Sequence, residues 1–383
     1  MSVPDRQWRI RFVDDLDDEL VDRTAAFFDE YFPGVFGETC DPEIFRWKLG
    51  PSNPAGQGIL AVAVAEDDAI AGVMSATMKR MTIGEQLVTG SETGDTFTHP
   101  DFRHSGRAAE AAPGTTADHY LNRSVFGRLV DEVSRALVDR AVEIVYSTPN
   151  DQSRPGYCRR GGYEVAPTAS ARSWHCPQPS LFADRLPRRI GQITFAAFDA
   201  LRSASRRRLE TGESMTIIPL RRDTSAPIFE TIDRFWKSRP PGRNVVLVQD
   251  GDWIRHRYAL HPSQSYDLHL VGGTNCPDAF AISRTITRSH GATTRCLTEW
   301  SLGLSTDGRR LSELLAMVVD NGRDVDTVSA WTDQRPGTWM RMVRAGFIPI
   351  NPVPVVLGCN DLGRHVIDRA IPFPLPIGWS DNV

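Results

Sequence analysis

Thr89-Gly-Ser-Glu92-Thr-Gly-Asp95-Thr-Phe97-Thr98-His99-Pro100-Asp101-Phe102-Arg103-His-Ser-Gly106-Arg107-Ala108 is the stretch whose reading decides the fold. Residues Thr89 to Thr98 read as a strand, His99 to Phe102 as a turn, and Arg103 to Ala108 as a basic, glycine-bearing loop. An amphipathic helix follows from Val125 to Arg140, then a second strand from Val142 to Ser147. The segment closes on Thr148-Pro149-Asn150 and on Tyr157-Cys-Arg-Arg-Gly-Gly162-Tyr163. A strand, a basic loop and a helix start together make an anion site. The first N–H groups of a helix have no intrahelical partner, and its dipole favours negative charge there.

Working outward toward the N-terminus, Trp8 to Val13 alternates apolar and polar residues, as an edge strand does. Asp14 to Asp29 carries Leu16, Leu20, Val21, Phe27 and Phe28 on one helical face, and Tyr31-Phe-Pro-Gly34 ends it. Pro42 to Leu49 reads as a short helix, and Gly58 to Glu66 as a strand. Asp67-Asp68 turns that strand into Ala69 to Arg80, and Gly84-Glu85 turns the next one into the strand opened above. The fifteen residues Ala109 to Arg123 lie between loop and helix, at the upper end of the roughly 12–15 residues beyond which a loop is functional or unstructured.

At 383 residues the chain is too long for one ordinary core, so two domains are expected. Forty per cent hydrophobic and 24% charged residues describe a globular protein. A net charge of −4 argues against general nucleic-acid binding. The six cysteines are scattered without metal-ligand spacing, which reads as reduced thiols and no metal site. No apolar run approaches the roughly 20 residues that span a bilayer, and the polar N-terminus does not read as a signal peptide. The expectation is a cytoplasmic protein with no membrane association.

The second half repeats the first. Glu43-Ile-Phe-Arg46-Trp-Lys-Leu49, followed by Asn53-Pro54, matches Asp252-Trp-Ile-Arg255-His-Arg-Tyr258, followed by His261-Pro262. Asp278 to Arg288 parallels Ala69 to Arg80, Thr294 to Leu304 parallels the Thr89 strand, and Leu311 to Asn321 parallels the long helix. Arg341-Met-Val-Arg-Ala-Gly346-Phe347 answers Cys158 to Tyr163. So long a period means two copies of one fold rather than a solenoid. The boundaries expected are 1–175 for the first domain, 176–214 for a linker with a basic helix (Ile193 to Leu209), and 215–383 for the second domain. Ser305-Thr-Asp-Gly308-Arg-Arg310 lacks the loop of the first copy, which places one active site in the N-terminal half.

This order of elements resembles the GNAT-type N-acyltransferases, with Arg103-x-x-Gly106-x-Ala108 as their pyrophosphate loop. The resemblance implies an α/β (α+β) fold of two tandem GNAT-like domains, each a mixed, mostly antiparallel sheet flanked by helices. It also implies acetyl-CoA or a longer acyl-CoA as donor and direct transfer to an amine, without a covalent enzyme intermediate. Phe97, Thr98, Arg103, Gly106, Arg107, Ala108 and Asn150 are then the donor-binding residues. Glu92 occupies the place of the general base, with Asp95 and His99 as alternatives, and Tyr157 is placed to protonate the leaving thiolate. Each has a plainer reading: Glu92 as an ion-paired residue, Asn150 as a turn cap, Tyr157 as core. The tandem arrangement and the element Trp47-Lys48 … Asn53-Pro54 resemble sugar N-acyltransferases of bacterial polysaccharide biosynthesis. That likeness implies a nucleotide-linked amino sugar as acceptor, with Trp47 and Lys48 against it. Two other readings stay open: a degenerate tandem GNAT that only binds, and a FemABX-like transferase using aminoacyl-tRNA.

Overall fold

The computed structural model describes residues 7–103, 124–178, 215–302, 308–358 and 361–373, apart from 17, 36–38, 167–170, 240–241, 243, 288–290, 323, 334–335 and 372, together with 196 and 200. The first half runs β1 (Trp8–Phe12), α1 (Glu19–Tyr31), α2 (Glu43–Leu49), β2 (Ile59–Ala65), β3 (Ile70–Ile83) and β4 (Gln86–Thr98). It continues with α3 (Val125–Asp139), β5 (Ile144–Ser147), α4 (Arg154–Arg160), β6 (Tyr163–Val165) and β7 (Ala171–Pro177).

Local chemistry explains these elements. Asp18 caps α1 by accepting the Leu20 N–H at 2.8 Å, and the helix buries Leu20, Val21, Ala25, Phe27 and Phe28 on one face. Ser124 caps α3 by accepting the Gly127 N–H at 3.0 Å. Val125, Leu129, Val133 and Leu137, four apart, form its buried stripe. Every residue of β2 is buried, because α1 and α2 cover one face of the sheet and α3 the other.

The second half runs β8 (Met215–Leu220), α5 (Ala226–Lys237), β9 (Val245–Leu247) and α6 (Gly251–Ile254), which continues into a π-helical turn, Arg255–Ala259. Then come β10 (Tyr266–Gly273), β11 (Cys276–Thr287), β12 (Thr293–Leu302), α7 (Gly308–Asn321), β13 (Thr327–Asp333), α8 (Pro336–Arg344), β14 (Ile348–Val353), β15 (Val356–Gly358) and α9 (Asp361–Asp368).

Two mixed sheets result, ordered β1-β2-β3-β4-β5-β15-β6 and β14-β7-β13-β12-β11-β10-β8. In each, a run of antiparallel strands meets one parallel pair, β4 with β5 and β12 with β13. The repeat read from the sequence is therefore a repeat of fold, but strands are exchanged between the halves. β7 lies between β13 and β14, while β15 lies between β5 and β6. The boundary expected after residue 175 thus falls inside a strand of the second sheet. That expected before residue 215 coincides with the start of β8. The basic helix expected at 193–209 lies outside the described residues.

β9 adds a further tie by pairing with β3, Met81 opposite Leu247. Between the sheets, Met81, Val88 and Tyr146 of the first half pack with Trp253, Leu268, Leu270 and Phe280 of the second in a single apolar cluster. No helix among the described residues is long and apolar enough to cross a membrane.

Candidate active site

β4 and β5 part company in mid-sheet. Their parallel pairing runs from Gly90/Ile144 to Glu92/Tyr146 and stops, although β4 continues to Thr98. At the same level the β3–β4 register shifts: Val73 faces Phe97 and Ser75 faces Gly94, so Asp95 and Thr96 together oppose Met74. This is a β-bulge, which bends and twists its strand. Asp95 stands there at φ 45°, in the left-handed region that Asp tolerates better than most residues.

Past the bulge, β4 offers backbone to an open cleft. The His99 N–H bonds the Ala71 carbonyl of β3 at 3.0 Å, so strand alternation turns the Thr98 N–H the other way, into the space β5 has left. A cleft of about 800 Å³ opens there. Thr96, Phe97 and Thr98 form one wall, Ser124, Val125 and Phe126 at the start of α3 the end, and Asn150, Ser153 and Gly156 the opposite wall. Arg103 and Arg159 stand on its rim. Arg103 is held by its Nε, which donates to the Thr98 carbonyl at 3.2 Å, and by the Phe32 ring below its guanidinium.

The structure therefore gathers Phe97, Thr98, Arg103 and Asn150 around one cleft at a helix start. Gly106, Arg107 and Ala108 lie outside the described residues. Asn150 is a turn cap as well: its Oδ1 accepts the N–H groups of Gln152 and Ser153 at 3.0 and 2.9 Å. Tyr157 lies just behind the wall, 2% exposed, with its hydroxyl 2.7 Å from Thr96 Oγ1. Burial raises its pKa, so the phenol keeps its proton.

The carboxylate candidates do not line the cleft. Glu92 is buried beside Lys79, Oε2 to Nζ 3.6 Å, and Lys79 lies over the Trp253 ring from the second half. Asp95 Oδ2 accepts from Lys48 Nζ at 2.5 Å and from Ser75 Oγ at 2.6 Å, all three groups buried. His99 Nδ1 accepts the Asp101 N–H, and the ring packs on Tyr31 with centroids 4.2 Å apart. Trp47 is turned toward the second half, where it packs against His256 and His261. Its neighbour Lys48 points instead to Asp95.

Thr96, Ser124, Phe126 and Arg159 were not singled out by the sequence. Ser124 carried a signal, a helix-capping residue directly before an apolar-periodic run. Thr96 carried none, because only the bulge brings its side chain to the cleft.

The second half repeats the bulge: Ser283 faces Leu297 and Ile282 faces Glu299, leaving Thr298 unmatched. Here too a buried carboxylate follows. Glu299 accepts from Gln249 Nε2 at 2.5 Å and from the Tyr258 hydroxyl.

No protein-family model matches the chain, and no curated protein matches it in sequence. Solved structures do match in fold. A GCN5-related N-acetyltransferase from Anabaena variabilis aligns over 91% of this chain and 72% of its own, with 14% identity and a TM-score of 0.56. The fold is that of the GNAT proteins, in tandem. N-myristoyltransferase of Saccharomyces cerevisiae, solved with bound myristoyl-CoA and inhibitors, aligns over 94% of this chain and 85% of its own at 13% identity, TM-score 0.54. A conserved protein of unknown function from Enterococcus faecalis aligns over 92% and 72% at 12% identity, TM-score 0.55.

Proposed function

We propose that the protein is an acyl-CoA-dependent N-acyltransferase that moves an acyl group directly from the thioester to a primary amine. The observation that carries this reading is the cleft between β4 and β5, open beside a bulge and closed at one end by a helix start. An extended amide-bearing arm completes the exposed edge of β4 as a missing strand would, and a pyrophosphate suits the first turn of α3 with Arg103. The yeast neighbour binds myristoyl-CoA, which supports an acyl-CoA donor.

In this reading the Thr98 N–H polarises the thioester carbonyl, and Asn150 bonds the pantetheine arm. Asp95 takes the proton of the attacking amine. It is one residue from the cleft wall, and Lys48 Nζ holds its Oδ2 at 2.5 Å. Lys48 then orients the base rather than the acceptor. Glu92 is tied to Lys79 in the shared core and serves the fold. Tyr157 supplies the thiolate's proton through Thr96. The acceptor is a nucleotide-linked amino sugar, a reading that rests on the sequence resemblance alone.

Calorimetric titration with acetyl-CoA tests the donor site. Saturable binding that Arg103→Ala weakens by about tenfold, or about 1.4 kcal/mol, is the expected result. Failure to bind acetyl-CoA and longer acyl-CoAs would overturn the reading. Thiol release with a panel of nucleotide-linked amino sugars, set beside simple polyamines, then tests the acceptor.

A further inference from the structure

Among the described residues, the lining of the donor cleft holds two charged side chains, and both are arginines, Arg103 and Arg159. No carboxylate joins them there, although acidic residues outnumber basic ones in the chain, 48 to 44. The two guanidiniums are set differently. Arg103 is fixed by the Thr98 carbonyl and the Phe32 ring. Arg159 is exposed and makes no hydrogen bond or ion pair among the described residues. Other arginines nearby are already engaged. Arg154 pairs with Asp151 at 3.2 Å, and Arg128 and Arg135 of α3 pair with Glu132 at 3.3 and 2.8 Å.

Arg159 follows Gly156 by three residues, so both stand on the face of α4 that borders the cleft and the start of α3. An arginine in a last helical turn also answers the helix dipole, and Arg160 beside it does so equally. What sets Arg159 apart is that it borders the cleft. The first turn of α3 and Arg103 already suit one pyrophosphate. A second guanidinium, on the opposite wall and without a partner, suits a second and separate phosphate, to which its planar fork can make paired hydrogen bonds.

We infer that Arg159 reads the 3′-phosphate on the donor's adenosine, and so selects free coenzyme A thioesters over donors that present phosphopantetheine alone. The inference rests on the donor cleft assigned above. Coenzyme A carries a pyrophosphate and, on its ribose, a phosphate monoester of about −1.5 to −2 charge at pH 7. A phosphopantetheine arm borne on a carrier protein has neither the adenosine nor that ester. The ester sits at the end of the molecule away from the thioester, so its contact is the same before and during acyl transfer. Arg159 therefore acts on donor affinity, lowering KM without changing kcat. It is a specificity residue and takes no part in the chemistry.

Calorimetry on the full chain with coenzyme A and with 3′-dephospho-coenzyme A tests the inference without turnover. The parent is expected to bind coenzyme A about tenfold more tightly than the dephospho form. Arg159→Gln is expected to bring the two within about twofold, by weakening coenzyme A and sparing the dephospho form. Unchanged binding of the dephospho form also shows that the variant keeps its fold. Arg154→Gln removes a charge from the same helix outside the cleft lining, and is expected to keep the parent's preference. Equal affinities in the parent, or a preference that survives Arg159→Gln, would overturn the inference and leave the donor cleft standing. An equal loss of preference in Arg154→Gln would assign it to the general field of the helix and overturn the inference as well. Binding of neither nucleotide would overturn the donor reading itself, and this inference with it.

Discussion

Trp47 and His256 stack on one another, ring centroids 5.4 Å apart and planes 20° from parallel, and Trp47 Nε1 donates to the His256 carbonyl at 2.7 Å. They occupy the same position of the repeated segment, Glu43 to Leu49 in one half and Asp252 to Tyr258 in the other. The two copies thus meet through their own equivalent residues, with the Arg257 guanidinium over the Trp47 ring as a third member. Trp47→Ala removes ring packing, the hydrogen bond and the cation's seat together. The expected cost is about 3 kcal/mol, with both halves still unfolding in one transition. Urea denaturation followed by tryptophan fluorescence and by far-UV dichroism checks it. Two separated transitions in the parent would contradict a shared core.

The buried pair of Lys48 and Asp95 predicts a compensation. Lys48→Met leaves a carboxylate buried without its counter-charge, and a loss of roughly 3–5 kcal/mol is expected. Asp95→Asn in the same background is expected to recover most of it. Acyl transfer stays abolished, because stability returns and the base does not. A double-mutant cycle on denaturation midpoints measures the coupling.

Gly156 is where α4 passes Phe126. A Cβ there would lie 2.1 Å from Phe126 Cε1. The ring borders the donor cleft and is the part free to move, so Gly156→Ala is expected to push it into the opening. Donor affinity is expected to fall about tenfold, equal to about 1.4 kcal/mol, while global stability changes less. Calorimetry against the parent decides it.

Two buried histidines, His256 and His269, and the half-buried His261 set the acid limit of stability. Burial, with repulsion from Arg257 and Lys79, lowers the pKa of His256 to about 4. His269 falls to about 4 through burial and Arg295, and His261 to about 3 through burial, Arg257, Arg284 and His256. The unfolded chain binds these protons near pH 6.5 and the folded chain does not, so stability rises with pH in this window. The contribution is complete above about pH 6.5 and is lost as pH falls from there toward 4. For His256 alone it is on the order of 3 kcal/mol. His256→Phe is expected to flatten the fall of the urea midpoint between pH 7 and pH 5.

Periodicity and turn residues carried most of the fold. The long helix over Val125–Asp139, the strands around it and the duplication all stand where alternation, caps and Gly or Asp turns put them. Phe97, Thr98, Arg103 and Asn150, which the resemblance names as donor-binding, line one cleft because they follow a strand, a turn and a second strand. What sequence could not show is partnership across the halves. Val356–Gly358 is three residues long, too short for any period, and its neighbours in the sheet lie some two hundred positions away. The choice among Glu92, Asp95 and His99 was equally closed, because it depends on which cations approach from α2 and from the second half. Lys48 and Trp253 are remote from β4 in sequence.

The reciprocal placement of β7 and β15 has a consequence for the chain as a thread. A single cut anywhere between residues 179 and 214 leaves β7 on the first fragment but within the second sheet, and β15 on the second fragment but within the first sheet. Neither piece can leave without tearing a strand from the middle of the other's sheet. A nicked molecule therefore stays whole in native buffer and falls into two bands only in denaturant. The halves are clasped like two hooks, and two separately synthesised fragments would have to fold around each other to be either one.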